Sequence, residues 1–128
     1  MSTRQILVID DEANVREVVQ ACLRDLGGWD VLEAASGREG LIKAAEEQPD
    51  AIVLDLMMPG MDGFAVLRQL QLNPMVQSIP VVVLTAKTYL IERRQFAQFG
   101  VVEAIAKPFN PVMLPIQIAK ALGWEQKK

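Results

Sequence analysis

Histidine is absent from the 128 residues. That absence removes imidazole acid/base catalysis, Ser–His and Cys–His nucleophile pairs, and the usual zinc sites. Whatever chemistry the chain performs falls to carboxylates, hydroxyls, lysine and a hard cation. A single cysteine, Cys22, excludes an internal disulfide and fits a reducing compartment. Its place on the apolar face of an expected helix marks it as buried filler rather than a reactive thiol. The net charge of −3 offers no basic footprint for nucleic acid, and no Lys/Arg-rich run suggests a membrane surface. Apolar runs fall far short of the roughly 18 residues of a spanning helix. Met1 to Gln5 lead at once into a strand-like run, so no signal peptide is expected and the cytoplasm is the expected location.

What is present is an ordinary globular balance, 51% hydrophobic and 23% charged, in a length that suits one domain spanning residues 1–128. Short apolar bursts at Ile6–Ile9, Val31–Leu32, Ala51–Leu54, Val81–Leu84 and, more weakly, Val101–Ala106 read as strands buried on both faces. Between them lie stretches at helical period. The first carries Val15, Val18, Val19, Cys22, Leu23 and Leu26 and stops at Gly27-Gly28. The second opens on the capping pattern Ser36-Gly-Arg-Glu39, runs through Leu41, Ile42, Ala44 and Ala45, and ends before Pro49. A third starts near Asp62 or Gly63 and carries Phe64, Val66, Leu67 and Leu70. A fourth is expected over Lys87 to Gln98, and a fifth from the cap-and-proline pair Asn110-Pro111 to about Leu122. Five alternations of strand and helix imply an α/β fold, a doubly wound (βα)5 parallel sheet with flavodoxin-like strand order 2-1-3-4-5.

Four bursts end in polar residues: Asp10-Asp11, Asp55, Thr85 and Lys107. Carboxyl ends of parallel strands share one edge, and ligands bind where strand order reverses, here between strands one and three. That arrangement gathers Asp10, Asp11 and Asp55, whose mutual repulsion calls for a cation. Oxygen-only ligation is the Mg²⁺ pattern, with phosphate as a frequent co-ligand. Lys107 supplies a point charge and Thr85 a hydroxyl for phosphoryl oxygens, and an Asp carboxylate is a competent nucleophile toward phosphorus. The plainer reading of Asp10 or Asp11 is a cap on the first helix.

Ile6-Leu-Val-Ile-Asp-Asp-Glu12, Val53-Leu-Asp-Leu-Met-Met-Pro-Gly-Met-Asp-Gly63, Leu84-Thr-Ala86 and Lys107-Pro-Phe109 resemble the receiver domain of two-component response regulators, stand-alone chemotaxis regulators included. The likeness covers essentially the whole chain. It implies that Asp55 accepts a phosphoryl group from a histidine kinase or phosphotransfer protein. Asp11, Asp55 and the backbone carbonyl of Met57 would bind Mg²⁺, with Asp10 acting mostly through water. Thr85, Lys107 and the backbone amide of Ala86 would hold the phosphoryl oxygens, and Lys107-Pro108 would be cis. The chain is then a signalling domain rather than an enzyme, and its output is a changed protein–protein surface offered to a downstream target.

Three departures qualify this expectation. Receivers commonly carry an aromatic residue where this chain has Ala104, so a quieter conformational response is expected. Met57 and Lys87 stand at positions that tune phosphate hydrolysis; Met57 offers no hydrogen bond to an attacking water, so slow autodephosphorylation is expected. The last helix is unusually apolar, which raises a homodimer through Tyr89, Leu90, Val112, Met113 and Leu114 beside the simpler reading of a locally packed helix start. Because only Gly123 to Lys128 follow the fold, a stand-alone regulator is expected. The alternatives are a receiver fragment of a longer regulator and a binding module that no longer uses phosphate. A flavodoxin-type carrier is disfavoured because Asp10-Asp11-Glu12 would repel the flavin phosphate, and an aspartyl-phosphate hydrolase because Met57 cannot act as its acid/base.

Overall fold

The computed structural model describes residues 3–58, 63–86 and 97–124. Its strands are β1 (Gln5–Ile9), β2 (Asp30–Ala34), β3 (Ala51–Asp55), β4 (Val81–Ala86) and β5 (Val101–Lys107). Among the described residues the helices are α1 (Ala13–Asp25), α2 (Gly37–Glu47), α3 (Gly63–Leu72) and α4 (Leu114–Leu122). All strand pairs are parallel, in the order β2-β1-β3-β4-β5, as the alternation predicts. The helix expected over Lys87 to Gln98 lies outside the described residues apart from its last two, Ala97 and Gln98, which are helical.

Period-two alternation sends successive side chains of each strand to opposite faces. On one face Leu7, Ile9, Ile52, Leu54 and Val83 meet Ala44 of α2 and Val66, Leu67 and Leu70 of α3. On the other, Ile6, Val8, Val53, Val82, Leu84 and Ile105 pack against Val19 and Leu23 of α1 and Leu114 and Ile118 of α4. At roughly 1.5–3 kcal/mol for each fully buried large aliphatic side chain, these two layers supply the main driving force for folding.

Local signals explain the helix boundaries. Ser36 caps α2 by accepting from the Glu39 amide at 3.1 Å, while Glu39 Oε1 accepts from the Ala35 amide at 2.7 Å. Helix α4 begins at Leu114, not at Asn110-Pro111. Asn110 Oδ1 accepts from the Val112 amide, and its carbonyl accepts from the Met113 and Leu114 amides, so residues 111–113 form a separate turn. Pro115 then falls in the first turn of α4, where no intrahelical donor is required.

The apolar stripe of α1 is narrower than its spacing suggests. Val19 and Leu23 are buried, whereas Val18 and Leu26 are 44% and 49% exposed. Cys22 is only half-buried, which corrects its assignment as core filler; burial and the nearby Asp25 raise its thiol pKa, so the thiol form is favoured. Ile42 of α2 is likewise exposed.

At the amino rim of the sheet, Gly123 closes α4 in a left-handed conformation. Trp124 then packs edge-on against Trp29 with ring centroids 5.3 Å apart, and the Arg4 guanidinium lies 4.8 Å above the Trp124 ring. No described helix is long and apolar enough to cross a membrane.

Candidate functional site

Asp10, Asp55, Thr85, Ala86 and Lys107 stand at or just past the carboxyl ends of strands, with Asp11 and Met57 in the loops after β1 and β3. Asp10 follows β1, Asp55 ends β3, Thr85 and Ala86 end β4, and Lys107 ends β5. The register aligns Thr85 with Ala106 and Ala86 with Lys107, so these groups share one rim. Asp10 and Thr85 are fully buried and Asp55 is 1% exposed. One carboxylate oxygen from each of Asp10, Asp11 and Asp55 lies within 4.8 Å of the others, which brings the predicted acidic cluster together.

Lys107 sits against this cluster. Its Nζ is 3.3 Å from Asp55 Oδ1 and 3.5 Å from Asp10 Oδ2. Asp55 Oδ1 also accepts from the Met57 amide at 3.0 Å, so that carboxylate is anchored through one oxygen. Asp55 Oδ2 is buried and, among the described residues, accepts no hydrogen bond. A buried carboxylate oxygen left without a partner costs on the order of 1–3 kcal/mol or more. Asp55 contributes one oxygen to the set of hard donors it forms with Asp10 and Asp11, and such a set fits a divalent cation of the Mg²⁺ kind.

Asp10 is the most constrained member. Its amide donates to the Ala34 carbonyl at 3.1 Å, its Oδ1 accepts from the Glu12 amide at 2.9 Å, and its Oδ2 pairs with Lys107. Burial raises its pKa above the ordinary carboxylate value and the Asp55 charge pushes the same way, against the Glu12 amide and the Lys107 ammonium, which lower it. The N-cap position of α1 is Glu12, without a side-chain cap bond, so neither Asp10 nor Asp11 caps that helix.

Arg16, which no sequence pattern singles out, also reaches the site. Its Nη1 donates to the Asp10 carbonyl at 2.7 Å and its Nε pairs with Glu33 Oε1 of β2 at 3.4 Å. The bond runs from a side chain to a backbone oxygen, so no charge pattern along the chain announces it.

The surroundings match the sequence in part. Gly63 opens α3 immediately beside the site, and a Cβ there would come within 2.4 Å of Leu56 Cα and 2.9 Å of the Asp55 carbonyl. The Lys107-Pro108 peptide is cis. Met57 is 55% exposed, at the mouth of the site. Ala104 is half-buried on β5 and borders a cavity of about 310 Å³ with Phe109, Met113 and Gln117. Of the expected dimer residues, Val112 and Met113 are 64% and 43% exposed, but Leu114 is fully buried in the α1/α4 layer and cannot belong to a surface. Tyr89, Leu90 and Lys87 lie outside the described residues.

Comparison with known proteins agrees with the geometry. Residues 6–119 match the family model of the response regulator receiver domain. The chain is 41% identical over 114 residues to the response regulator PleD of Caulobacter vibrioides, covering 89% of this chain and 25% of PleD. It is 33% identical over 122 residues to the phosphate regulon transcriptional regulatory protein PhoB of Pseudomonas aeruginosa, covering 95% of this chain and 53% of PhoB. The chain thus spans about half the length, or less, of the curated relatives it matches. The chemotaxis protein CheY4 of Vibrio cholerae superposes with a TM-score of 0.85 at 30% identity, over 94% of this chain and 99% of that one. With a buried acidic cluster, a lysine across the rim and this match over nearly its whole length, the chain belongs to the response regulator receiver domain family.

Proposed function

We propose that this receiver domain accepts a phosphoryl group on Asp55, with Mg²⁺ held by Asp11, Asp55 and the Met57 carbonyl and Asp10 acting mostly through water. The supporting observation is Asp55 itself: one oxygen is tethered by the Met57 amide and Lys107, Oδ2 is buried and among the described residues accepts no hydrogen bond, and the residue clusters with two further carboxylates. The bound ion would neutralise charge on the carboxylates and on the incoming phosphoryl oxygens. Asp55 attacks phosphorus, the P–N bond of a phosphohistidine donor breaks with its electron pair leaving on the imidazole, and an acyl phosphate forms. Lys107 draws the developing charge toward its ammonium, and the Thr85 hydroxyl and Ala86 amide donate to phosphoryl oxygens.

The donor class is a histidine kinase or phosphotransfer protein, and the output is an altered surface read by a downstream protein. Val112, Met113 and Ile116 are the exposed apolar residues nearest the start of α4 and form part of that surface, for a target or a second copy. Met57 carries no group to orient a hydrolytic water, so the acyl phosphate persists well beyond seconds. With Ala104 in place of an aromatic side chain, the response on β5 is small.

Incubation with a small acyl phosphate, with and without Mg²⁺, tests the reading by intact mass. A single phosphoryl gain that needs Mg²⁺ and disappears in Asp55→Ala is expected, with solution mass followed before and after to detect assembly. A gain that survives in Asp55→Ala would refute the assignment. No gain under any condition would favour a phosphate-independent binding module.

A further inference from the structure

We propose that Arg16 is a positioning residue for the acidic cluster, fixing the Asp10–Asp11 peptide and thereby the aim of the Asp11 carboxylate. The inference rests on the Mg²⁺ reading of the site and adds a residue outside the ligand set. Asp10 is held at every polar atom: its amide by Ala34, its Oδ1 by Glu12, its Oδ2 by Lys107 and its carbonyl by Arg16. Asp11 is different. Among the described residues its carboxylate has no hydrogen bond or ion pair, so its direction is set by the backbone that carries it. The Asp10 carbonyl and the Asp11 amide belong to one planar peptide. Gripping the carbonyl therefore fixes the plane from which Asp11 departs.

The geometry suits this task better than a stabilising role. The Arg16–Glu33 pair spans 3.4 Å with side chains 18% and 37% exposed, and partly exposed pairs of this kind contribute only ~0–1 kcal/mol. The stronger contact is the charge-assisted bond to the Asp10 carbonyl at 2.7 Å. Glu33 braces the guanidinium from β2, so one planar fork ties α1, β2 and the end of β1 together. Groups that orient metal ligands without touching the metal typically change affinity by ~10–100-fold when removed.

Electrostatics alone gives no weakening: removing a cation bonded to the Asp10 carbonyl leaves the cluster's attraction for Mg²⁺ equal or stronger, whereas losing the grip on the Asp10–Asp11 peptide weakens it. Calorimetric titration with MgCl₂ of wild type, Arg16→Met and Arg16→Lys separates the two, with thermal unfolding in chelator run alongside. Positioning predicts Mg²⁺ affinity reduced by about tenfold or more in Arg16→Met. Arg16→Lys keeps the charge but cannot span both the Asp10 carbonyl and Glu33, so a smaller weakening in the same direction is expected. Equal or tighter Mg²⁺ binding in Arg16→Met, even with a lowered melting temperature, would overturn the proposal. If Arg16→Met does not fold, Arg16→Lys decides, and unchanged affinity there overturns it. Wild-type protein that binds no Mg²⁺ would instead refute the metal reading itself, and the proposal with it.

Discussion

Lys107 and Asp55 lie on strands that do not pair, yet the lysine ammonium reaches across the end of β4 to within 3.3 Å of Asp55 Oδ1. The contact exists because parallel strands deliver their final residues to a common rim. It gives the acidic cluster a resident cation before any ion is bound.

Replacing that cation leaves two buried carboxylates without their charge partner. Lys107→Met is expected to lose about 1–3 kcal/mol of stability in chelator, below the usual cost for a fully buried pair because Lys107 is 24% exposed. Urea denaturation measures it. Saturating Mg²⁺ is expected to recover much of the loss; a variant as stable as wild type in chelator would show that Lys107 does not compensate the cluster.

Asp10 works in the other direction. Burial, reinforced by the Asp55 charge, raises its pKa, so the native state holds its proton more tightly than the unfolded chain. Its ionisation therefore opposes folding at neutral pH, and that penalty fades as pH falls through the raised value toward the ordinary 3.8. Asp10→Asn removes the charge and keeps an acceptor for the Glu12 amide. It is expected to melt a few degrees above wild type at pH 7 in chelator, with the difference closing on acidification. The variant should also gain less than wild type from added Mg²⁺. A lower melting point at pH 7 would mean that the Lys107 attraction outweighs burial.

Glu39 provides a second pH dependence of opposite sign. The Ala35 amide, with help from Lys43, holds its pKa below the ordinary 4.5. A lowered native pKa stabilises the fold above pH 4.5 and ceases to do so as pH falls through the depressed value. Glu39→Ala is expected to cost about 0.5–2 kcal/mol at pH 7 and progressively less below pH 4. Melting curves of both proteins across that range give the comparison; a constant difference would assign the effect to helix propensity instead.

Gly63 tests the tightness of the turn after Asp55. A methyl group there meets the Leu56 backbone at 2.4 Å, so something must shift. Gly63→Ala is expected to destabilise by about 1–3 kcal/mol, despite the better helix propensity of alanine, and to weaken Mg²⁺ binding because the Asp55 carbonyl moves with it. Denaturation and Mg²⁺ titration on one sample report both effects.

Much of this was legible before any coordinates, for a physical reason. Strands buried on both faces are written as continuous apolar runs, and whatever polar residue ends such a run must emerge at the rim, which is how Asp10, Asp55, Thr85 and Lys107 could be located. Periodicity was a blunter guide at surfaces. Val18 and Leu26 fit the helical spacing of α1 but stay exposed, because only its central stripe, Val19 and Leu23, packs on the sheet. Asn110-Pro111 looks like a helix start, yet Asn110 spends both its side-chain and backbone oxygens on a turn. That turn rotates Leu114 inward and removes it from the expected dimer surface. Arg16 was illegible because its partner is a carbonyl, which every residue carries.

The clasp of Trp29, Trp124 and Arg4 sits at the rim farthest from the carboxylates. Both tryptophans of the protein are in it. Intrinsic emission therefore listens to the end of the last helix and is deaf to local quenching by an ion at Asp55. Any spectral change on loading the acidic pocket would be news that had travelled the length of the strands.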